Sequence, residues 1–208
     1  MEIKVCGMRE RTNCLHLVEE VAPDWMGLIF YPPSPRVVSE EDAAWIKELP
    51  LKKVGVFVGE KETAILRKSY LFGLSALQLH GGESLDEIQR LQELAELKIW
   101  KVIPVGGEID WKAWEAFVPY VDRFLFDTDT KSKGGSGKTF DWKLLESYPF
   151  ETGFVLGGGL TLAHADELVA LSQKFPQLLG VDVNSGFEFA PGVKKIADLK
   201  AFKEKLKS

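Results

Sequence analysis

Cys6 and Asp127 are the two side chains whose type and setting best suit proton transfer. Cys6 closes the apolar run Ile3–Cys6 and precedes Gly7, which lets a ligand approach. A lone cysteine is usually a small buried hydrophobe, and Cys14, on the apolar helical stripe Cys14, Leu17, Val18 and Val21, fits that description. Cys6 differs by position, because a thiol at a strand end beside positive groups can ionise and serve as base or nucleophile. Asp127 follows directly on Phe124-Leu125-Phe126, where an unpaired carboxylate is costly. Partial burial there raises its pKa and lets it keep a proton near neutrality, as a general acid must. Asp129, two residues on, reads instead as a helix cap or loop-pairing carboxylate.

Two turns late in the chain, Gly157-Gly158-Gly159 and Asp182-Val183-Asn184-Ser185-Gly186, offer backbone N–H groups close to helix starts. Glycines also serve tight turns, but two such clusters together read as a phosphate cradle that needs no positive side chain. Gly158, Gly159, Ser185 and Gly186 are its candidate contacts, joined by Gly135 from the stretch Lys133–Lys138. That stretch resembles a P-loop but carries Ser132 where the motif needs glycine, so residues Thr130 to Lys138 read better as a mobile flap leading to a helix start at Phe140-Asp141-Trp142. Arg36 ends Tyr31-Pro32-Pro33-Ser34-Pro35-Arg36, whose three prolines stiffen the loop. It is either a surface charge or a guanidinium held for a planar carboxylate. His80 is open between a loop-fixing hydrogen bond and a substrate contact. His16 and His164 fall within helical patterns, which discounts a metal site. Lys101, inside an apolar run, suits an internal ion pair better than a Schiff base. A cysteine and an aspartate on one rim beside a phosphate site suggest proton shuffling on a sugar phosphate, with no cofactor required.

These residues need a scaffold that brings distant segments to one rim. Eight short apolar runs, Ile3–Cys6, Gly27–Phe30, Val54–Val58, Ala76–Leu79, Ile99–Ile103, Phe124–Asp127, Phe154–Leu156 and Gly180–Val183, recur about 25 residues apart, the length of a βα unit. Between them the apolar period lengthens to about 3.6, as in helices with one buried stripe. Examples are Leu85, Ile88, Leu91 and Ala95 after a Ser84 cap, and Ile196, Leu199, Phe202 and Leu206. Strands apolar on both faces and alternating with helices make a parallel covered sheet. An open doubly wound sheet usually has fewer strands and a glycine-rich first turn, whereas Gly7-Met8-Arg9-Glu10 has one glycine. The reading is therefore an α/β protein, a (β/α)8 TIM barrel formed as a single domain over residues 1–208, with its chemistry at the strand ends.

Composition agrees. The 208 residues are 45% hydrophobic and 27% charged, enough for a full core without disulfide or metal staples. A net charge of −5 disfavours nucleic acid or a membrane surface as a partner and leaves room for a small phosphorylated molecule. Two cysteines make no disulfide framework, and no run approaches the roughly 20 apolar residues of a membrane span. A cytoplasmic protein is expected.

Several motifs in combination resemble the phosphoribosylanthranilate isomerase family of tryptophan biosynthesis along the whole chain. They are Lys4-Val5-Cys6-Gly7, Ser34-Pro35-Arg36, Gln78-Leu79-His80-Gly81, Phe126-Asp127-Thr128, Gly134–Trp142, Gly157–Leu160, Asp182–Gly186 and Pro191-Gly192-Val193-Lys194. The resemblance implies a (β/α)8 barrel that performs an Amadori rearrangement without metal or cofactor. It also implies Cys6 as general base, Asp127 as general acid and Arg36 as the contact for the anthranilate carboxylate. Gly157 stands where alanine is common, Thr161-Leu162 where the family has Asn-Pro, and Asn184 where serine is common; these departures bear on hydrogen bonds at the phosphate end. Two rival readings are a barrel isomerase of the histidine-biosynthesis type, which uses two aspartates, and a non-catalytic phosphate-ligand binder.

Overall fold

The computed structural model describes residues 1–128 and 139–207. Eight parallel strands close into a barrel in sequence order: β1 Glu2–Cys6, β2 Trp25–Ile29, β3 Lys52–Phe57, β4 Ala76–Leu79, β5 Lys98–Val105, β6 Arg123–Thr128, β7 Phe154–Leu156 and β8 Leu178–Val183. Closure comes from β1 lying parallel to both β2 and β8, with Lys4 opposite Asp182 and Cys6 opposite Gly27. Each strand overlaps one of the eight apolar runs, because a strand covered on both faces must be apolar throughout.

Alternation along each strand sends every second side chain into the barrel. Trp25, Val54, Ala76, Trp100, Val102, Leu125 and Val155 fill its interior. Trp25 and Trp100, from non-adjacent strands, meet edge-to-face at 5.0 Å, and the Arg123 guanidinium lies against both rings while pairing with Glu2. A larger apolar layer joins the outer strand faces to the helices. On β1 the inward set is Glu2, Lys4 and Cys6, which places a lysine directly beneath the cysteine.

The helical layer is uneven. α1 (Arg11–His16), capped by Glu10, runs on into a π-helical turn over Leu17–Val21, burying Cys14, Leu17 and Val21 as the stripe predicts. α2 (Ala43–Glu48), α3 (Glu62–Phe72) and α4 (Leu85–Leu94) follow, and Ser84 forms a capping box with Glu87. After β5, however, α5 is only Lys112–Glu115, and after β6 the expected helix at Trp142 is a 3-10 segment, Trp142–Ser147, capped by Asp141. Aromatic side chains cover the barrel wall there instead: Trp111 and Tyr148 pack on Phe126 at 5.9 and 5.8 Å, and Tyr148 packs on Phe154 at 5.0 Å. Large rings cover that face with fewer residues than a full helix uses. α6 (Ala165–Lys174) and α7 (Ile196–Lys205) complete the ring. Between β8 and α7 lies a hairpin that the run pattern does not show, β9 (Glu188–Ala190) and β10 (Val193–Lys194), turning through Gly192 at φ +86°. No helix among the described residues is long and apolar enough to cross a membrane.

Candidate active site

Lys4 and Asp182, opposite each other on β1 and β8, form an ion pair at 2.9 Å inside the barrel, with Lys4 only 1% exposed. Asp182 spends only Oδ2 on this bond; its buried Oδ1 has no partner among the described residues. Cys6 sits one inward position closer to the strand end and is buried. Room for its sulfur comes from Gly27 on β2, where a Cβ would lie 2.8 Å from Sγ. Burial pushes the thiol above the usual cysteine value, and Asp182 adds to that, while Lys4 and Lys194 act in the opposite sense. The positive groups expected beside Cys6 are thus present, but in the unliganded barrel desolvation outweighs them.

Across the rim, β6 carries Asp127 and His80 directly follows β4, with His80 Nε2 3.5 Å from Asp127 Oδ2. Burial raises the Asp127 carboxyl above its ordinary range, only partly countered by the Thr128 N–H and Lys4. Burial likewise lowers His80, helped by Lys4, so the ring is held neutral near pH 7. Gln78 Nε2 lies 3.3 Å from His80 Nδ1. With the amide donating there, the ring hydrogen is on Nε2 and faces Asp127. Asp182 senses Lys4, Asp127 and His80 together, so the interior ends of β1, β4, β6 and β8 share one electrostatic environment. Asp127 has the character of a proton donor and His80 of its neutral neighbour.

Arg36 reaches the same rim from the loop after β2. Its guanidinium grips Glu188 of β9 through Nε, at 3.0 and 2.9 Å, and through one terminal nitrogen at 2.6 Å. Glu188 also accepts from Lys194 Nζ at 2.7 Å and from the Gly192 N–H at 3.0 Å, and Lys194 donates to Asn184 at 2.8 Å. Burial works against the Glu188 carboxylate, yet Arg36 and Lys194 hold it below the ordinary carboxylate range. Gly7, at φ +75°, lets the chain pass beneath this cluster: a Cβ there would lie 2.7 Å from the Arg36 side chain and 2.8 Å from Asn184. Arg36 is therefore braced rather than loose, at 20% exposure.

After β7, Gly158 and Gly159 adopt φ of +80° and +69°, and their N–H groups donate to no carbonyl or side chain among the described residues. A Cβ on Gly158 would collide with Thr128 and approach Asp127, so the glycine turn packs directly behind that carboxyl. Ser185 and Gly186 open a 3-10 turn, Ser185–Phe187, where the first N–H groups have no partner within the turn. A Cβ on Gly186 would strike the Leu160 carbonyl, so the two turns are in contact. Gly135, Asp129 and the flap residues Thr130 to Lys138 lie outside the described residues. Lys101 is in the ion pair the sequence suggests, 2.7 Å from Glu83. No group of three or more His, Cys, Asp or Glu among the described residues is disposed to hold a metal.

The family model described as N-(5'-phosphoribosyl)anthranilate (PRA) isomerase matches residues 3–205. The chain is 42% identical to N-(5'-phosphoribosyl)anthranilate isomerase of Phocaeicola vulgatus over 100% of this chain and 98% of that protein. The chain belongs to the phosphoribosylanthranilate isomerase family. Among solved isomerases, that of Thermotoga maritima is 35% identical with a TM-score of 0.86, covering 100% of this chain and 98% of that one. Another, solved in complex with reduced 1-(o-carboxyphenylamino)-1-deoxyribulose 5-phosphate, is 32% identical with a TM-score of 0.83 and covers the same shares. A 3-hexulose-6-phosphate synthase from Salmonella typhimurium, 13% identical at a TM-score of 0.74, shares the fold alone.

Within this isomerase, the strand-end residues Cys6, His80, Asp127, Gly158, Gly159, Ser185 and Gly186 gather at one end of the barrel with Arg36. Sequence reasoning missed the Lys4–Asp182 pair as a unit and missed Glu188 altogether, and it quoted Lys194 only as part of a motif, without a role. A lysine two residues before Cys6 on an otherwise apolar strand was the available signal for the first. The second depends on a hairpin whose pairing has no periodic signature.

Proposed function

We propose that this family member converts N-(5'-phosphoribosyl)anthranilate to 1-(2-carboxyphenylamino)-1-deoxyribulose 5-phosphate, the Amadori rearrangement of tryptophan biosynthesis, in the cytoplasm. The observation that carries the proposal is the pairing on one rim of a buried thiol, Cys6, with a carboxyl held towards its protonated form, Asp127, both sensing the Lys4–Asp182 charges.

Asp127 donates its proton to the furanose ring oxygen. The C1–O bond breaks, and the nitrogen lone pair forms an iminium. The Cys6 thiolate then takes the proton from C2; the C–H pair becomes the C1–C2 double bond, and the iminium pair returns to nitrogen. The resulting enolamine tautomerises to the ketose, its C2 hydroxyl losing a proton as C1 gains one. Burial disfavours the thiolate in the empty barrel, so the order matters: the iminium charge, once formed beside C2, both acidifies that C–H bond and favours the anion facing it. Each acid–base step supplies about 10²–10⁴-fold. Arg36 takes the anthranilate carboxylate with the guanidinium edge that Glu188 leaves open, and the Gly158–Gly159 and Ser185–Gly186 N–H groups take the phosphate, with Gly135 as a further contact. Anchoring both ends aligns C2 and the ring oxygen between base and acid. His80 lines the substrate space beside Asp127.

A barrel isomerase of the histidine type would place an aspartate where Cys6 stands, and a passive phosphate binder would need no acid–base pair. Loss of phosphoribosylanthranilate fluorescence, measured for the parent, Cys6→Ala and Asp127→Asn, tests the reading. Turnover in the parent with a loss of two or more orders of magnitude in each variant supports it. Tight product binding with no parent turnover, or near-parental turnover in Cys6→Ala, overturns it.

A further inference from the structure

Lys4 and Asp182 lie one inward position below the cysteine, in a barrel whose apolar filling includes Val54, Ala76, Val102, Leu125 and Val155. A buried ion pair is a poor device for stability, since apolar side chains of similar volume do as well or better. This pair is also poorly made for that purpose, with one carboxylate oxygen carrying the bond and the other, Oδ1, buried with no partner among the described residues. The register that sets Lys4 opposite Asp182 also leaves it on the inward face of β1 with Cys6, two residues on, whose sulfur is the second group electrostatically coupled to the ammonium.

We propose that Lys4 is the counter-ion of the Cys6 thiolate during turnover, and that Asp182 holds the ammonium whenever the sulfur is protonated. The inference rests on Cys6 being the base and assigns Lys4 and Asp182 as positioning residues for it. In the step concerned, the thiolate gains the C2 proton and the anion on sulfur is lost, leaving Lys4 balanced by Asp182 alone. In reverse, the thiol returns its proton to C2, and the negative charge left on sulfur draws Lys4 from Asp182 toward it. The groups that face this triad are Lys194 from β10, His80 directly after β4 and Asp127 from β6. Lys194 is already committed to Glu188 and Asn184, and Glu188 stays ionised, whereas burial weakens the hold of Asp182 on its lysine by disfavouring its charge.

The two partners of Lys4 give a test that loss of packing cannot imitate. Thiolate absorbance near 240 nm is titrated in the parent, Lys4→Met and Asp182→Asn, each against its own Cys6→Ser control so that Cys14 cancels. An opposite charge within about 4–6 Å moves a titration by about 1–3 pH units. The Cys6 midpoint should therefore rise by about one unit or more in Lys4→Met, and kcat near pH 7 should fall about tenfold or more with little change in KM. In Asp182→Asn, which frees Lys4 for the sulfur, the midpoint should fall. Midpoints that move in the same direction, or an Asp182→Asn midpoint that stays or rises, overturn the proposal, and the second variant decides it alone if Lys4→Met does not fold. Retained turnover in Cys6→Ala would remove the base without touching these midpoints, so the two claims fail separately.

Discussion

Glu188→Ala is the substitution whose cost can be worked most fully from the structure. The carboxylate accepts from Arg36 through Nε and a terminal nitrogen, from Lys194 and from the Gly192 N–H, and its side chain is 4% exposed. Removing it leaves Lys194, at 0% exposure, with Asn184 as its remaining partner at 2.8 Å. Truncating one member of a buried, hydrogen-bonded pair costs about 3–5 kcal/mol, because the other charge is left uncompensated. In a chain of this length 1 kcal/mol moves Tm by about 2–4 °C, so the loss should be about 6–20 °C, in the lower half given the Asn184 bond. The Glu188 titration in the folded protein lies below its unfolded value, so its contribution is complete above the unfolded value and disappears as pH falls through the folded one. The gap in Tm between parent and variant should accordingly narrow in acid. Thermal unfolding followed by circular dichroism at neutral and acid pH reads both effects. Adding Lys194→Met should restore part of the lost stability by removing the stranded charge. A single variant melting within about 2 °C of the parent, or a double variant melting well below the single, refutes the argument.

Arg36→Met should raise KM about 10–150-fold, the value of one charge-assisted contact to a carboxylate, with kcat little changed; steady-state kinetics showing an unchanged KM would remove Arg36 from the carboxylate site. Asp127→Asn should lower kcat by about 10²–10⁴-fold while Tm holds or rises, since a neutral amide replaces a carboxyl that burial disfavours in its charged form; a clear fall in Tm would show that the carboxylate stabilises the fold. Gly158→Ala should cost about 1–3 kcal/mol from its φ of +80° and its collision with Thr128, and should weaken phosphate binding measured by calorimetry. Parental stability and affinity in that variant would mean that the turn is not constrained.

The barrel was legible because its signal is local: each of the eight runs is a strand apolar on both faces, and the stripe through Cys14, Leu17 and Val21 is a buried helical face. The placement of Cys6 and Asp127 was legible because a strand end is a definable place in sequence. The shortened α5 and the 3-10 turn at Trp142–Ser147 were not, since there Trp111, Tyr148 and Phe150 replace helical cover through contacts between different segments. The same limit hid Glu188, whose partner Arg36 lies 152 residues away, and the part played by Lys194. Lys4 was visible as a residue, but its role depends on the β1–β8 register, which only closure of the barrel sets.

The most direct measurement is a pair of distances in one complex, determined crystallographically with a reduced, non-reacting analogue of the product bound. A reacting atom sits about 3–3.5 Å from its catalytic group in a productive geometry, so Cys6 Sγ should lie at that range from C2 while an Asp127 carboxyl oxygen lies equally near the oxygen released by ring opening. A ligand seated in the mouth with either separation beyond about 5 Å would contradict the assignment of base and acid.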